Sequence, residues 1–125
     1  MNHANSFIYF DGDDVGARIE LLLLRNDPDA AAAVSRDVVR AVGEIADAIR
    51  IQLGGTVLFA AGDEVLACVN DAPDPAWLDL VRDRFRFATH LTISCGVGGT
   101  AAEAASNLHM AKLLGKNRAV GLVDR

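Results

Sequence analysis

Residues 7–14 read Phe-Ile-Tyr-Phe-Asp-Gly-Asp-Asp, four large apolar or aromatic side chains followed at once by three carboxylates and a glycine. An apolar run that ends in a polar, glycine-containing segment is typical of a buried strand leading into a turn. We therefore predict a buried central β-strand at residues 7–10 and an acidic turn at residues 11–14. The rest of the fold follows from where this strand pairs.

A second acidic turn lies near the middle of the chain. Residues 56–59 and 65–69 are two further strand-like runs, and only Ala-Ala-Gly-Asp-Glu, residues 60–64, separates them. A connection of this length predicts a β-hairpin. Asp63 and Glu64 are thus expected on a hairpin, directly beside a strand.

Helical spacing of apolar residues marks most of the remaining chain. Residues 15–24 are predicted to form a helix that buries Ile19, Leu22 and Leu23 on one face. A longer helix is predicted to begin at Pro28, with Asp27 as its N-cap. The other predicted elements are a helix around residues 77–85, a half-buried strand at 91–97, a helix at 101–114 and an edge strand at 119–123.

The order of these elements is strand, helix, helix, hairpin, helix, strand, helix, strand. This order matches the split βαβ plan, so the predicted fold class is α+β and ferredoxin-like, with a central antiparallel sheet and helices packed on it. The 125 residues suffice for one such domain and not for two, which predicts a single domain over residues 1–125. In this plan the first strand and the hairpin are neighbours, so the two acidic turns should lie side by side.

The carboxylates expected at that end of the sheet are Asp11, Asp13, Asp14, Asp63 and Glu64. Carboxylates held close together repel one another unless a cation lies between them, and their hard oxygen atoms suit Mg²⁺ or Mn²⁺. Gly12 and Gly62 fit the tight turns that such a site needs. Each motif alone is more often an ordinary turn or helix cap than a metal site, but the two together predict a divalent-metal site.

Groups that could bind phosphate are expected on both sides of the acids. The backbone amides that open the first helix could hold a triphosphate; they belong to Gly12, Asp13, Asp14, Val15 and Gly16. Lys112 and Lys116 are four residues apart and would share a helical face, unless Gly115 ends the helix between them. Lysines near a helix C-terminus are also explained by the helix dipole alone.

Four motifs in this order resemble the palm-type nucleotide cyclases: FDGDDVG at residues 10–16, GDE at 62–64, ISCGVG at 93–98 and AKLLGKNR at 111–118. This group includes the diguanylate cyclases and the polymerase subunit of type III CRISPR complexes. The small size and the opening FDGDDVGARIE most resemble the minimal CRISPR polymerase family, mCpol. The resemblance extends from Phe7 to Val123.

The resemblance implies a role for several residues of these four motifs. Asp11 and Asp63 would be the main metal ligands, assisted by the Gly12 carbonyl, and Glu64 would ligate metal or activate the attacking hydroxyl. Lys112 would contact the triphosphate, with Lys116 supporting it. The implied reaction uses two Mg²⁺ or Mn²⁺ ions: a ribose hydroxyl attacks the α-phosphate of a second nucleotide and pyrophosphate leaves.

The implied product is a cyclic di- or oligonucleotide, made by a homodimer or larger homo-oligomer, that acts on a separate effector in antiviral defence. ATP is the implied substrate by analogy with the family, because the guanine-reading asparagine of diguanylate cyclases has no counterpart after the first motif. Asp13 and Asp14 receive no individual role: one could ligate metal while the other caps the helix.

Two alternatives remain at this point. Residues 10–15 also fit the nucleophile motif of haloacid-dehalogenase phosphatases, in which Asp11 would form an aspartyl-phosphate and Asp13 would be the acid/base. That class needs a larger parallel sheet and a lysine before its later acidic motif. The other alternative is a non-catalytic palm domain that binds a nucleotide or only dimerises.

The bulk composition limits the partners. A formal net charge of −5 argues against a broad surface for duplex nucleic acid. The longest apolar run is too short for a membrane span, which predicts a cytoplasmic protein without direct membrane insertion. Cys68 and Cys95 lie in apolar runs without CxxC spacing and are predicted to be buried, reduced thiols.

Overall fold

The computed structural model describes residues 5–121, and this range contains five β-strands and four α-helices. In chain order they are β1 (Ser6–Gly12), α1 (Val15–Leu24), α2 (Pro28–Gln52), β2 (Thr56–Ala61), β3 (Glu64–Val69), α3 (Pro75–Thr89), β4 (Ile93–Gly98), α4 (Ala101–Leu113) and β5 (Ala119–Val120). This is the predicted order of elements. Residues 122 and 123 of the predicted last strand lie outside the described range.

The strands form one sheet in the order β2-β3-β1-β4-β5. β1 is antiparallel to β3 on one side and to β4 on the other, β2 is antiparallel to β3, and the short β5 runs parallel to β4. β1 therefore lies in the centre of the sheet with the β2–β3 hairpin beside it. The predicted α+β, ferredoxin-like palm fold is confirmed.

The two faces of the sheet are covered by different helices. Ile8 and Phe10 of β1 point into the main core, which α2 and α3 complete. On the other face α4 packs so closely against β4 that a Cβ on Gly96 would lie 2.1 Å from the Ala104 carbonyl oxygen. Every residue of β4 is buried. The prediction of a half-buried strand at 91–97 is therefore wrong, because helices cover both of its faces.

The helix signals are confirmed for α2 and only in part for α1. Pro28 is the first residue of α2, and the Asp27 carboxylate accepts a hydrogen bond at 3.1 Å from an amide of the first turn. In α1, Ile19 packs against the core but Leu23 is 53% exposed. The prediction that Leu23 faces the core is wrong, because α1 lies against α2 along one edge and leaves the rest of its surface in water.

Two sequence expectations concern the chain as a whole. Cys68 and Cys95 are both free thiols; Cys95 is buried as predicted, and Cys68 is only half-buried. Across residues 5–121, no helix combines the length and the apolar character that a membrane crossing needs.

Candidate active site

The two acidic turns meet at one end of the sheet, as the topology predicts. Asp11 on β1 pairs with Glu64, the first residue of β3. The Gly12 amide donates a hydrogen bond at 3.0 Å to the Asp63 carbonyl oxygen and so joins the first turn to the hairpin. A Cβ on Gly12 would lie 2.7 Å from Val15 Cγ2 and 3.2 Å from Asp63 Oδ2. The two turns can approach this closely only because residue 12 has no side chain.

The hairpin carboxylate Asp63 has an unfavourable electrostatic environment. Partial burial raises the pKa of Asp63 above its usual range, and the negative charges of Asp11 and Glu64 raise it further. The Lys112 ammonium and the backbone amide of Asp63 oppose this rise but do not cancel it. The ionised form of Asp63 is therefore disfavoured in the protein alone, and a cation between these carboxylates would favour it.

Glu64 is held by a tyrosine that the sequence did not indicate. Tyr9 lies on β1 and donates a hydrogen bond from its hydroxyl to Glu64 Oε1 at 3.1 Å. Burial, the bond to Glu64 and nearby carboxylates all raise the pKa of Tyr9, so the hydroxyl keeps its proton. The ring meets Phe59 of β2 edge to face, with ring centroids 6.0 Å apart. Tyr9 thus fixes the orientation of Glu64 at the edge of the site.

Asp13 differs from the other acids because it is buried, with 2% of its surface exposed. Its carboxylate accepts hydrogen bonds from Thr92 Oγ1 at 2.7 Å, Ser94 Oγ at 2.7 Å, Lys112 Nζ at 2.7 Å and the Asn117 amide at 3.0 Å. Burial alone would raise the pKa of Asp13, but these bonds outweigh it and lower the pKa below its usual value. Both oxygens of Asp13 are occupied by protein donors.

Lys112 reaches the first turn from the last turn of α4. Its ammonium contacts Asp13 Oδ1 and also lies 3.1 Å from Asp11 Oδ2. It donates to the backbone carbonyl oxygens of Asp11 at 3.1 Å and Gly12 at 2.9 Å. The predicted phosphate-binding lysine therefore lies directly beside two of the predicted metal ligands, with its side chain 21% exposed.

Lys116 lies beyond the end of α4, so it does not share a helical face with Lys112. Its ammonium pairs with Asp14 Oδ1 at the surface, and this bond raises the pKa of Lys116. Asp14 occupies the N-cap position of α1 in a left-handed conformation, with φ at 59°, and its side chain makes no capping hydrogen bond. The expectation that Asp13 or Asp14 caps this helix is wrong, because the hydrogen bonds of both carboxylates are made to other elements.

A shallow cavity lies beside the first turn, and Asp13 and Thr92 are among the residues that line it. It has a volume of about 370 Å³, and its walls are the start of α1 and the segment 90–92. Asp14 lines this cavity, and the backbone of Val15 and Gly16 forms the first helical turn next to it. Amides of a first helical turn have no acceptor within their own helix and can therefore bind an anion.

The donor set at the sheet end fits a divalent cation. In the part of the chain that the structure describes, no three His, Cys, Asp or Glu side chains already converge as a preformed metal cluster. However, Asp11 and Glu64 are paired across β1 and β3, and their negative charges both raise the pKa of Asp63. Asp11, Asp63 and Glu64, together with the Gly12 carbonyl, are hard oxygen donors of the kind that Mg²⁺ and Mn²⁺ prefer.

Thr92, Ser94, Asn117 and Arg82 were not identified by the sequence reasoning as parts of the site. Ser94 and Asn117 lie inside two of the motifs that carry the family resemblance, which is the only sequence signal they gave. Arg82 Nη1 donates to Asn117 Oδ1 at 3.1 Å and so ties α3 to the loop after α4. None of these contacts follows from local spacing, because each joins residues far apart in the chain.

Comparison with solved structures supports the palm fold. The chain is similar to the GGDEF domain of DgcB from Caulobacter crescentus in complex with c-di-GMP, with 16% identity and a TM-score of 0.65 over 93% of this chain and 76% of that one. A GGEEF domain of a diguanylate cyclase from Vibrio cholerae gives 18% identity and a TM-score of 0.59 over 97% and 84%.

The Csm1–Csm4 cassette in complex with pppApA gives 20% identity and a TM-score of 0.71 over 97% of this chain. The match covers only 21% of the cassette chain, so this protein corresponds to about a fifth of it. A comparison with curated protein sequences found no match. The model of the minimal CRISPR polymerase domain matches residues 7–122. This match takes in both acidic turns and both lysines, and the chain belongs to the mCpol family.

Proposed function

We propose that this protein is a metal-dependent nucleotidyltransferase that joins nucleoside triphosphates, with ATP as the substrate, into a cyclic di- or oligonucleotide. One observation carries the proposal: the ends of the adjacent strands β1 and β3 bring the backbone of Asp11 next to that of Asp63 and Glu64, and the ammonium of Lys112 lies 3.1 Å from Asp11 Oδ2. A carboxylate whose pKa is raised by burial and by two neighbouring carboxylates, beside a lysine, is an unfavourable arrangement for an inert surface. It fits a site that binds a divalent cation and a polyphosphate together.

The residues that would hold Mg²⁺ or Mn²⁺ are Asp11, Asp63, Glu64 and the carbonyl of Gly12. When bound, two such ions increase the acidity of a ribose hydroxyl and neutralise charge on the phosphates. Glu64, which Tyr9 orients, would ligate metal or accept the hydroxyl proton.

Lysines and helix amides would bind the phosphates on the other side of the reacting centre. Lys112 lies beside Asp11, and Lys116 lies beside Asp14 at the start of α1. The hydroxyl oxygen forms a bond to the α-phosphorus while the bond between that phosphorus and its bridging oxygen breaks. Pyrophosphate leaves, and positive charge from the lysines and from the amides of Val15 and Gly16 stabilises it.

The choice of ATP rests on the relatives. Similar Csm1–Csm4 structures contain ATP, pppApA or cA4, and the chain belongs to the CRISPR polymerase family. We extend the proposal to a homodimer or larger homo-oligomer in which one protomer supplies the hydroxyl and its partner the triphosphate. The product would act on a separate effector in antiviral defence inside the cell.

The phosphatase alternative does not agree with the fold. Haloacid-dehalogenase phosphatases place their nucleophile on a parallel sheet, whereas β1 has antiparallel neighbours on both sides. Asp13, which would be their acid/base, is buried beneath four donors. The non-catalytic nucleotide-binding domain remains the alternative that the following experiment separates.

The test is to incubate the purified protein with each nucleoside triphosphate and Mg²⁺ or Mn²⁺, measure pyrophosphate, and identify the product by mass spectrometry. We expect a cyclic adenylate. Asp63→Ala should lower the rate by at least about 100-fold. The matched control Asp71→Ala removes an exposed carboxylate shortly after β3 and should keep the wild-type rate. Binding of ATP without any product would support the non-catalytic domain, and full activity of Asp63→Ala would refute the metal assignment.

A further inference from the structure

Asp13 contacts both segments that carry the candidate phosphate-binding lysines, and we propose that it is the positioning residue for Lys112 and Lys116. The proposal rests on the proposed function, since it concerns how the same site holds a triphosphate. Asp13 is 2% exposed, and protein donors occupy both of its oxygens. Its carboxylate oxygens thus face protein donors, and Asp13 would act on the nucleotide through the lysines.

Asp13 contacts Lys112 directly. Asp13 Oδ1 lies 2.7 Å from Lys112 Nζ, although 99 residues separate the two along the chain. A free lysine side chain has many rotamers, and a short charge-assisted bond selects one of them. The other oxygens around the ammonium come from Asp11 and Gly12, which are the candidate metal ligands. Among the described residues, Asp13 is thus the one hydrogen-bond partner of Lys112 Nζ that is not itself a candidate metal ligand.

Asp13 contacts the segment that carries Lys116 through the next residue, Asn117. The Asn117 amide donates to Asp13 Oδ2 at 3.0 Å. Lys116 and Asn117 both have left-handed backbones, with φ at 67° and 50°. Such conformations cost about 1–2 kcal/mol for a non-glycine residue, so the loop depends on its anchors. The Asp13 bond is one anchor and the bond from Arg82 to the Asn117 side chain is another.

The arrangement of donors explains why residue 13 has to be a carboxylate. Lys112 binds one oxygen and the Asn117 amide binds the other, and neither of these groups can accept a hydrogen bond. The hydroxyls of Thr92 and Ser94 can both donate and accept. An asparagine at position 13 would present its NH₂ group either to Lys112 or to the Asn117 amide. In either orientation one of the two lysine-bearing segments loses its anchor.

The experiment compares Asp13→Asn with Val38→Ala, which shortens a buried side chain of α2 in the main core. We expect Asp13→Asn to raise the KM for the nucleoside triphosphate by about tenfold with a smaller change in kcat. Val38→Ala lowers stability but should change KM by less than about twofold. Thermal melts confirm that both variants are folded at the assay temperature. Equal increases of KM in the two variants would mean that Asp13 acts on the site only through the stability of the fold, and would overturn the proposal.

A second readout does not depend on turnover. Hydrogen exchange of the Asn117 amide and the NMR signal of Lys112 Nζ report on the two anchors directly. In Asp13→Asn we expect faster exchange of that amide or a shifted, broadened Nζ signal, and neither change in the surface control Asp71→Asn. Unchanged exchange and an unchanged Nζ signal would overturn the positioning role. If the wild-type protein makes no product, the proposed function fails while this measurement still tests the inference.

Discussion

Asp13 lies directly after β1 and Asp63 directly before β3 of the same sheet, but their surroundings are opposite. Asp13 is buried and accepts hydrogen bonds from four groups, and these bonds lower its pKa. Asp63 is half-buried, and burial together with the charges of Asp11 and Glu64 raises its pKa. Within residues 5–121 it has no salt-bridge partner.

The comparison distinguishes two roles of carboxylates that the acidic sequence motifs alone do not tell apart. A carboxylate whose donors all come from the protein stabilises the fold and keeps other groups in place. A carboxylate that repels its neighbours destabilises the fold until a ligand arrives, as groups at functional sites commonly do. Three measurements test this difference between Asp13 and Asp63.

The largest expected difference is in the free energy of unfolding of metal-free protein. Asp13→Ala leaves Lys112 and the Asn117 amide without their acceptor, and we expect a loss of about 3 kcal/mol. Asp63→Ala removes a repelled charge, so we expect no loss and a small gain. Urea denaturation in the presence of EDTA measures both variants. A comparable loss in the two would show that Asp63 is structural as well.

The second difference concerns stabilisation by divalent cations. Mg²⁺ at ten times its dissociation constant should stabilise the wild-type protein by about 1.4 kcal/mol. Asp63→Asn should lose most of this stabilisation, because it removes a ligand, whereas Asp71→Asn should keep it. Urea denaturation with increasing MgCl₂ at constant ionic strength measures the effect. Equal stabilisation of Asp63→Asn and wild type would place the cation elsewhere.

The same contrast explains how much the sequence could predict. Asp63 and Glu64 could be placed beside Asp11 because strand ends, a short hairpin and a recurrent topology determine which turns are neighbours. The environment of Asp13 could not be predicted, because its donors come from positions 79 to 104 residues away. Their directions depend on packing and not on periodicity.

The exposure of α1 and the burial of β4 escaped prediction for a related reason. An apolar pattern indicates which face of an element could be buried, but only the neighbouring elements determine whether it is. Gly96 and Gly98 make the burial of β4 possible, because residues without side chains at these positions let α4 approach the second face of β4. In the sequence, however, they read equally well as ordinary turn or strand residues.

The smallest expected difference is in the pH dependence of stability. An unfolded aspartate has a pKa of about 3.9. The pKa of Asp63 in the folded protein is higher than this, so the folded protein takes up a proton at Asp63 before the unfolded chain does. The destabilisation by ionised Asp63 therefore disappears as the pH falls from neutral through the raised pKa. The folded pKa of Asp13 is lower, so its stabilisation is complete above the unfolded value and is lost as the pH falls through the folded one.

The two opposite pH dependences of stability can be measured by comparing variants with the wild-type protein in metal-free buffer. The unfolding free energy of wild type minus that of Asp63→Asn should increase between neutral pH and about pH 4. The difference between wild type and Asp13→Asn should stay constant over that range and decrease below about pH 4. Urea denaturation at a series of pH values checks both, with Asp71→Asn as the surface control. Parallel curves for Asp13→Asn and Asp63→Asn would contradict the contrast, because two carboxylates whose pKa values shift in opposite directions cannot give the same pH dependence.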